Sequence, residues 1–148
     1  MAGRYFYWCS SCEVYTTSRV AISNSPKCSQ CDKITEPAVV VYPDIAGFPE
    51  SMSVGQRTVS SFLNSIGLTV DVEAKIGNRF ADVYLPELNT VVEFDGPTHQ
   101  FASVDSKRDE ELRESGVQEI IHVRDTSVET LSFLRKRVEE ISEEIGKY

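Results

Sequence analysis

Cysteine disappears from this chain after residue 31, histidine occurs only twice and tryptophan once. No apolar run approaches the roughly 20 residues that a membrane-spanning helix needs. The N-terminus, Met1-Ala2-Gly3-Arg4-Tyr5, lacks the apolar stretch of a secretory signal. These absences lead to the expectation of a soluble, cytoplasmic protein without a membrane partner. Internal repeats and low-complexity tracts are also missing. Basic residues are outnumbered 15 to 23, for a net charge of −8. That deficit argues against a phosphate-rich partner, because phosphate binding rests on lysine and arginine. The distribution softens the argument. Residues 1–36 hold four basic side chains and three acidic ones, so all the acidity lies in the remainder. Glu139, Glu140, Glu143 and Glu144 near the C-terminus supply part of it and can face away from a ligand.

What is present is concentrated. With 148 residues, 41% of them apolar, the chain has room for one core and a small appendage. The appendage is residues 1–36. Its four cysteines form two pairs, Cys9-x2-Cys12 and Cys28-x2-Cys31. Each pair builds a tight knuckle that aims two sulfurs at one point, and four thiolates complete the closed tetrahedral shell of structural Zn²⁺. The pattern looks like a zinc ribbon, with a strand over Val14–Ile22 and a turn over Ser23-Asn24-Ser25-Pro26. The aromatic run Tyr5-Phe6-Tyr7-Trp8, with Arg4, Arg19, Lys27 and Lys33, has two readings: it stacks on nucleic acid, or it fills a core too small to form otherwise.

Residues 37–52 read as a linker containing Pro37, Pro43 and Pro49, although Val39-Val40-Val41 is apolar enough to pack. Residues 53–148 read as the main domain. Ser53 opens a helix that runs to Ile66, with Val59, Phe62, Leu63 and Ile66 on one face and Gly67 as its cap. A strand over Leu68–Ile76 follows, then a Gly77-Asn78 turn and two strands around Pro86-Glu87-Leu88-Asn89. A helix over Val104–Ser115, a strand over Val117–Val123 and a last helix opened by Thr126-Ser127, with Glu129 completing a capping box, end the chain. Leu131, Leu134, Val138, Ile141 and Ile145 form a stripe that packs on the sheet or, in the alternative reading, makes a dimer seam.

The acids in the paired strands are the unusual feature. Alternation places Phe80, Asp82 and Tyr84 on one face, and Glu93 and Asp95 together on one face of the next strand. A carboxylate in the middle of a buried strand is costly unless compensated. Three of them converging across a hairpin, with His99 just beyond, point to a divalent cation and phosphodiester chemistry. The alternative for Asp82 is a salt bridge with Arg79 or Lys75. His122, between Ile121 and Val123, reads as strand filler.

The ordered set Ser53-Val54-Gly55-Gln56, Phe80-Ala81-Asp82-Val83-Tyr84-Leu85-Pro86, Val92-Glu93-Phe94-Asp95-Gly96-Pro97-Thr98-His99, Asp105-Ser106-Lys107-Arg108-Asp109 and Gly116…Ile120-Ile121-His122-Val123-Arg124 resembles the PD-(D/E)XK nucleases. Within them it is similar to the EDxHD-type branch of very-short-patch mismatch repair endonucleases and phage homing endonucleases. The likeness spans residues 53 to about 125. It implies an α/β fold: a restriction-endonuclease-like αβββαβ core behind the zinc ribbon. It further implies Mg²⁺ held by Asp82, with Glu93 or the Phe94 carbonyl as further ligands, and hydrolysis of double-stranded DNA leaving a 5′ phosphate. Asp95 stands where the wider fold has lysine, which leaves His99 as general base or water-orienting group. Lys107, Arg108 and Asp109 would contact phosphate or that histidine. Gln56 stands where the family often has glutamate. A monomer or homodimer acting in homing or mismatch cleavage is the expected role. The rivals are a catalytically silent DNA-binding or assembly module and a junction resolvase.

Overall fold

The computed structural model describes residues 4–18, 25–41, 52–95 and 102–146, the last segment with side chains from Ser106 onward. Three antiparallel strands form the N-terminal sheet: β1 (Arg4–Cys9), β2 (Val14–Ser18) and β3 (Val39–Val41), in the order β2-β1-β3. The expected strand from Val14 is present to Ser18; its continuation and the start of the following turn lie outside the described residues. The expected linker needs correction. Val39, Val40 and Val41 are β-branched residues suited to a pleated surface, and they pair with Phe6, Tyr5 and Arg4.

The remainder follows the expected order of helix, three strands, helix, strand and helix. These are α1 (Val54–Ser65), β4 (Asp71–Ile76), β5 (Arg79–Leu85), β6 (Thr90–Phe94), α2 (Ala102–Glu114), β7 (Glu119–Val123) and α3 (Val128–Gly146). Their sheet has the order β4-β5-β6-β7, antiparallel except for the β6–β7 pair. Strand β6 is therefore central. The Gly77-Asn78 turn uses a positive φ at Gly77, and a Cβ there would sit 2.4 Å from Ser115 Oγ. Asn89, also at positive φ, closes the β5–β6 turn; its side chain accepts from Tyr84 Oη and donates to the Gly116 carbonyl.

Ser53 Oγ accepts the Gln56 N–H, as a cap should, and the Gln56 side chain donates to the Asp82 carbonyl. One cap expectation changes. At α3 the capping oxygen is Ser127 Oγ, which receives the Thr130 N–H. Glu129 is one position too early to complete that box, and Asp125 takes the second role by accepting from Ser127 N and Thr130 Oγ1.

One core joins the two sheets. Phe6, Trp8, Tyr15 and Val41 from the N-terminal sheet pack with Val59, Phe62 and Leu63 of α1 and with Leu131, Leu134, Val138 and Ile141 of α3. Val83, Val92, Ile121 and Val123 close it from the second sheet. Phe62 meets Phe6 and Tyr15 edge-on, at ring-centroid distances of 6.2 and 5.7 Å. The ribbon aromatics thus fill a core, as one of their two readings required. A smaller cluster of Ala81, Val91, Leu112, Val117 and Ile120 lies under α2. Alternation along β6 sends Val92 to the large core and Val91 and Glu93 to the α2 side.

Candidate functional site

The four-cysteine cluster is built from two knuckles. Cys9 ends β1 and Cys12 lies in the turn to β2; Cys28 and Cys31 flank a second turn next to the isolated Lys27–Ile34 bridge. The four sulfurs lie within 4.8 Å of one another. Cys9 and Cys31 Sγ are 3.6 Å apart, close to the roughly 3.8 Å edge of a tetrahedron with 2.3 Å Zn–S bonds. Backbone N–H groups of Cys12 and Gln30 donate to the sulfurs of Cys9 and Cys28. The Cys12 N–H is the chief reason that the Cys9 thiol is pushed down to about 7. Its neighbour Cys12 is pushed up to about 12, first by hydrogen bonding with Cys31 and then by burial. Four crowded sulfurs cannot all ionise without a cation between them, and the donor set fits Zn²⁺.

The acids occupy the α2 side of the second sheet. The β5–β6 ladder pairs Val83 with Val92 and then stops. The next step would be Asp82 against Glu93; instead Asp82 Oδ2 accepts the Phe94 N–H at 2.9 Å. The strands separate there, and two carboxylates face the gap. On the other flank Glu73, opposite Asp82 in the register, has φ of 48°, so the edge strand is also distorted at this level. The salt-bridge alternative for Asp82 is not realised through Arg79, which is engaged with Glu111.

Glu93 is 2% exposed, and its Oε1 has no hydrogen-bond partner among the described residues. Burial, and then the adjoining Asp82 carboxyl, push it up to about 8; Arg108 opposes the shift. Arg108 Nη2 lies 3.3 Å from Glu93 Oε2 and also donates to the Phe80 carbonyl. A buried carboxylate with one orphaned oxygen beside a second carboxylate could hold a cation. Asp82, Glu93 and the Phe94 carbonyl are hard oxygen donors of the kind Mg²⁺ takes, with water completing its shell.

Asp95 is engaged otherwise. His122 Nδ1 lies 2.8 Å from Asp95 Oδ2 and His122 Nε2 lies 2.7 Å from Asp109 Oδ2. Register places His122 beside Glu93 on β7, on the α2 side of the sheet. Burial lowers the His122 pKa, but the two carboxylates outweigh it and the net direction is upward. Reading His122 as strand filler is therefore incorrect: the side chain ties β7 to α2 and to Asp95, just past the end of β6. Alternation offered a signal, since His122 shares the face of Ile120, but its partners depend on register.

The structure thus brings together Asp82, Glu93 and Phe94, and separately Asp95, Asp109 and His122. Gln56 touches the site through the Asp82 carbonyl. Lys107 does not join it; its side chain is exposed and its charge acts on Glu111. His99 lies outside the described residues. Among the described residues the cysteines are the one group of three or more His, Cys, Asp or Glu ligands gathered at a single point. A cavity of about 580 Å³ between β2 and α3, lined by Tyr15, Ser132 and Phe133, lies away from the carboxylates. No helix among the described residues is long and apolar enough to cross a membrane. No family model, curated protein or solved structure matches the chain.

Proposed function

We propose that this protein is a Mg²⁺-dependent endodeoxyribonuclease with a restriction-endonuclease-like αβββαβ core and a zinc ribbon that completes its fold. One observation carries the reading: the buried Glu93 carboxylate, with its orphaned Oε1, held beside Asp82 where the β5–β6 ladder breaks. Such a pair is poorly stable as two bare anions and gains from a divalent cation. The order α1-β4-β5-β6-α2-β7, with acids at the break between the central strands, supports the fold assignment.

Asp82 and Glu93, with the Phe94 carbonyl, would hold Mg²⁺. The bound ion supplies charge for the phosphoryl oxygens and acidifies a water molecule. The Phe94 N–H fixes the Asp82 carboxylate, and Gln56 braces the Asp82 backbone. Asp95 and Asp109 hold His122 by both ring nitrogens, which leaves water activation to a group other than His122; His99 keeps that expected role. Double-stranded DNA is the substrate, and homing or mismatch-type cleavage is the role.

A second reading is a DNA-binding or assembly module without catalysis. The uncharged Gln56 and the Arg108 guanidinium already set against Glu93 favour it. The test is incubation of supercoiled plasmid, linear duplex and branched DNA with Mg²⁺, comparing wild type with Asp82→Ala. Cleavage that disappears in the variant is expected. Mg²⁺-dependent binding without cleavage of any substrate would leave only the second reading, and selective cutting of branched DNA would favour a resolvase.

A further inference from the structure

Four carboxylates crowd the α2 face of the sheet, and two cationic groups answer them. His122 is saturated: each ring nitrogen lies against an aspartate. Arg108 is not. Its contacts with Glu93 Oε2 and the Phe80 carbonyl both run through Nη2, and among the described residues Nε and Nη1 make none. The side chain is 33% exposed whereas Glu93 is 2% exposed, so Arg108 reaches the buried acid through Nη2 while part of its side chain stays exposed. Other cations nearby are less suitable. Arg79 is tied to Glu111, and the charge of the exposed Lys107 acts on the same glutamate.

From this placement we infer that Arg108 is the phosphate-contacting cation of the site, taking up the non-bridging oxygens of the DNA phosphate that Asp82 and Glu93 receive. The inference rests on the nuclease reading for the identity of the phosphate. Its physical basis is the guanidinium charge and the donors left on Nε and Nη1, each of which can meet a phosphate oxygen. Anchoring Nη2 on Glu93 and on the Phe80 carbonyl fixes the rotamers of a long side chain before the ligand arrives, which lowers the ordering cost of binding. It also places positive charge beside the acids from α2, whereas the residue just past β6 is Asp95.

The test measures binding of a short labelled DNA duplex across a salt series, in Mg²⁺-free buffer with Zn²⁺ retained. Wild type, Arg108→Lys, Arg108→Ala and the double variant Glu93→Gln/Arg108→Ala are compared. Arg108→Ala should weaken binding several-fold and reduce the slope of log K against log salt by roughly 0.9, the loss of one phosphate contact. Arg108→Lys should restore the slope but only part of the affinity, because it keeps the charge and loses the separate donors that let one side chain hold Glu93 and phosphate together. The double variant removes the buried acid that Arg108 would otherwise leave bare. If it recovers wild-type binding and salt slope, Arg108 is merely a partner for Glu93 and the inference is overturned; if it stays defective, the phosphate contact stands.

Cleavage assays separate this from the nuclease reading. A wild type that cuts no DNA, with the slope still reduced in Arg108→Ala, retains the contact and discards the enzyme. A wild type that cuts, with Arg108→Ala equal to it in cutting and binding, retains the enzyme and discards the contact. Absence of DNA binding by the wild type removes both.

Discussion

The imidazole of His122 lies 2.7 Å from the Asp109 carboxylate, tying helix α2 to strand β7 across the face that carries the acids. The opposite ring nitrogen is held by Asp95, so one side chain links β7, α2 and the residue just past β6. Without it, Asp95 and Asp109 would lose the partner that they share. The charge balance of the face is thus set by an imidazole and a guanidinium, neither of which belongs to the acid-bearing strands β5 and β6.

This clamp should be visible in the pH dependence of stability. The folded-state pKa of His122 is raised above its usual 6.5 by its two carboxylate partners, against the effect of burial. Its contribution is therefore complete below pH 6.5 and is lost as pH rises through the folded-state value. His122→Ala should cost about 1–3 kcal/mol in urea unfolding at pH 5.5 and clearly less at pH 9. Equal losses at the two pH values would show that the imidazole acts by packing alone.

Glu93 gives a prediction of the same sign from a different cause. Its carboxyl is raised from 4.5 to about 8 by burial and by Asp82. The folded protein therefore holds a proton that the unfolded chain releases, and stability falls as pH rises from 4.5 to about 8. Glu93→Gln should flatten that part of the profile and, without Mg²⁺, make the protein more stable than wild type at pH 8 by about 1–3 kcal/mol. Added Mg²⁺ should stabilise wild type and leave the variant nearly unmoved. Thermal melts with and without the ion check both statements.

Zinc removal should be felt beyond the ribbon. The ribbon aromatics share their core with α1 and α3, and Tyr15 N donates to Ser132 Oγ while Arg4 donates to the Thr126 carbonyl. Arg135 of α3 stacks over Trp8 at 4.5 Å. A chelator, or Cys28→Ser, should therefore lower the melting temperature of the whole chain in one transition. Trp8, the single tryptophan, reports the ribbon by fluorescence, and helix ellipticity reports α1 and α3. Two separated transitions, with the helices melting as before, would contradict the shared core.

Gly55 tests how α1 positions the site. A Cβ at residue 55 would lie 2.1 Å from the Phe94 ring, so Gly55→Ala must displace either the half-buried Phe94 ring or α1. The expected cost is about 1–3 kcal/mol, together with weaker Mg²⁺ stabilisation because Phe94 carries both the N–H that fixes Asp82 and a candidate ligand carbonyl. Gly146→Ala, which meets nothing within 4 Å, serves as the control and should be near neutral in folding.

Local pattern was enough for much of this protein. Two Cys-x2-Cys pairs announced a four-sulfur cluster that could hold a metal ion, and the four sulfurs do gather within 4.8 Å of one another. Apolar spacing and capping residues set the helices, and period-two alternation put Asp82 and Glu93 on strand faces, with Asp95 just past the end of β6. Such signals come from residues within a turn or two of one another. Tertiary structure decided the rest. Asp95 and His122, 27 residues apart, meet only because β6 and β7 pair in one parallel register. Arg108 reaches Glu93 only because α2 crosses above it. The ribbon became part of the common core because Phe6, Trp8 and Tyr15 had too little apolar surface of their own to bury and found it on Phe62 and α3. Spacing along the chain decides which side chains an element offers; register and packing decide which of them meet.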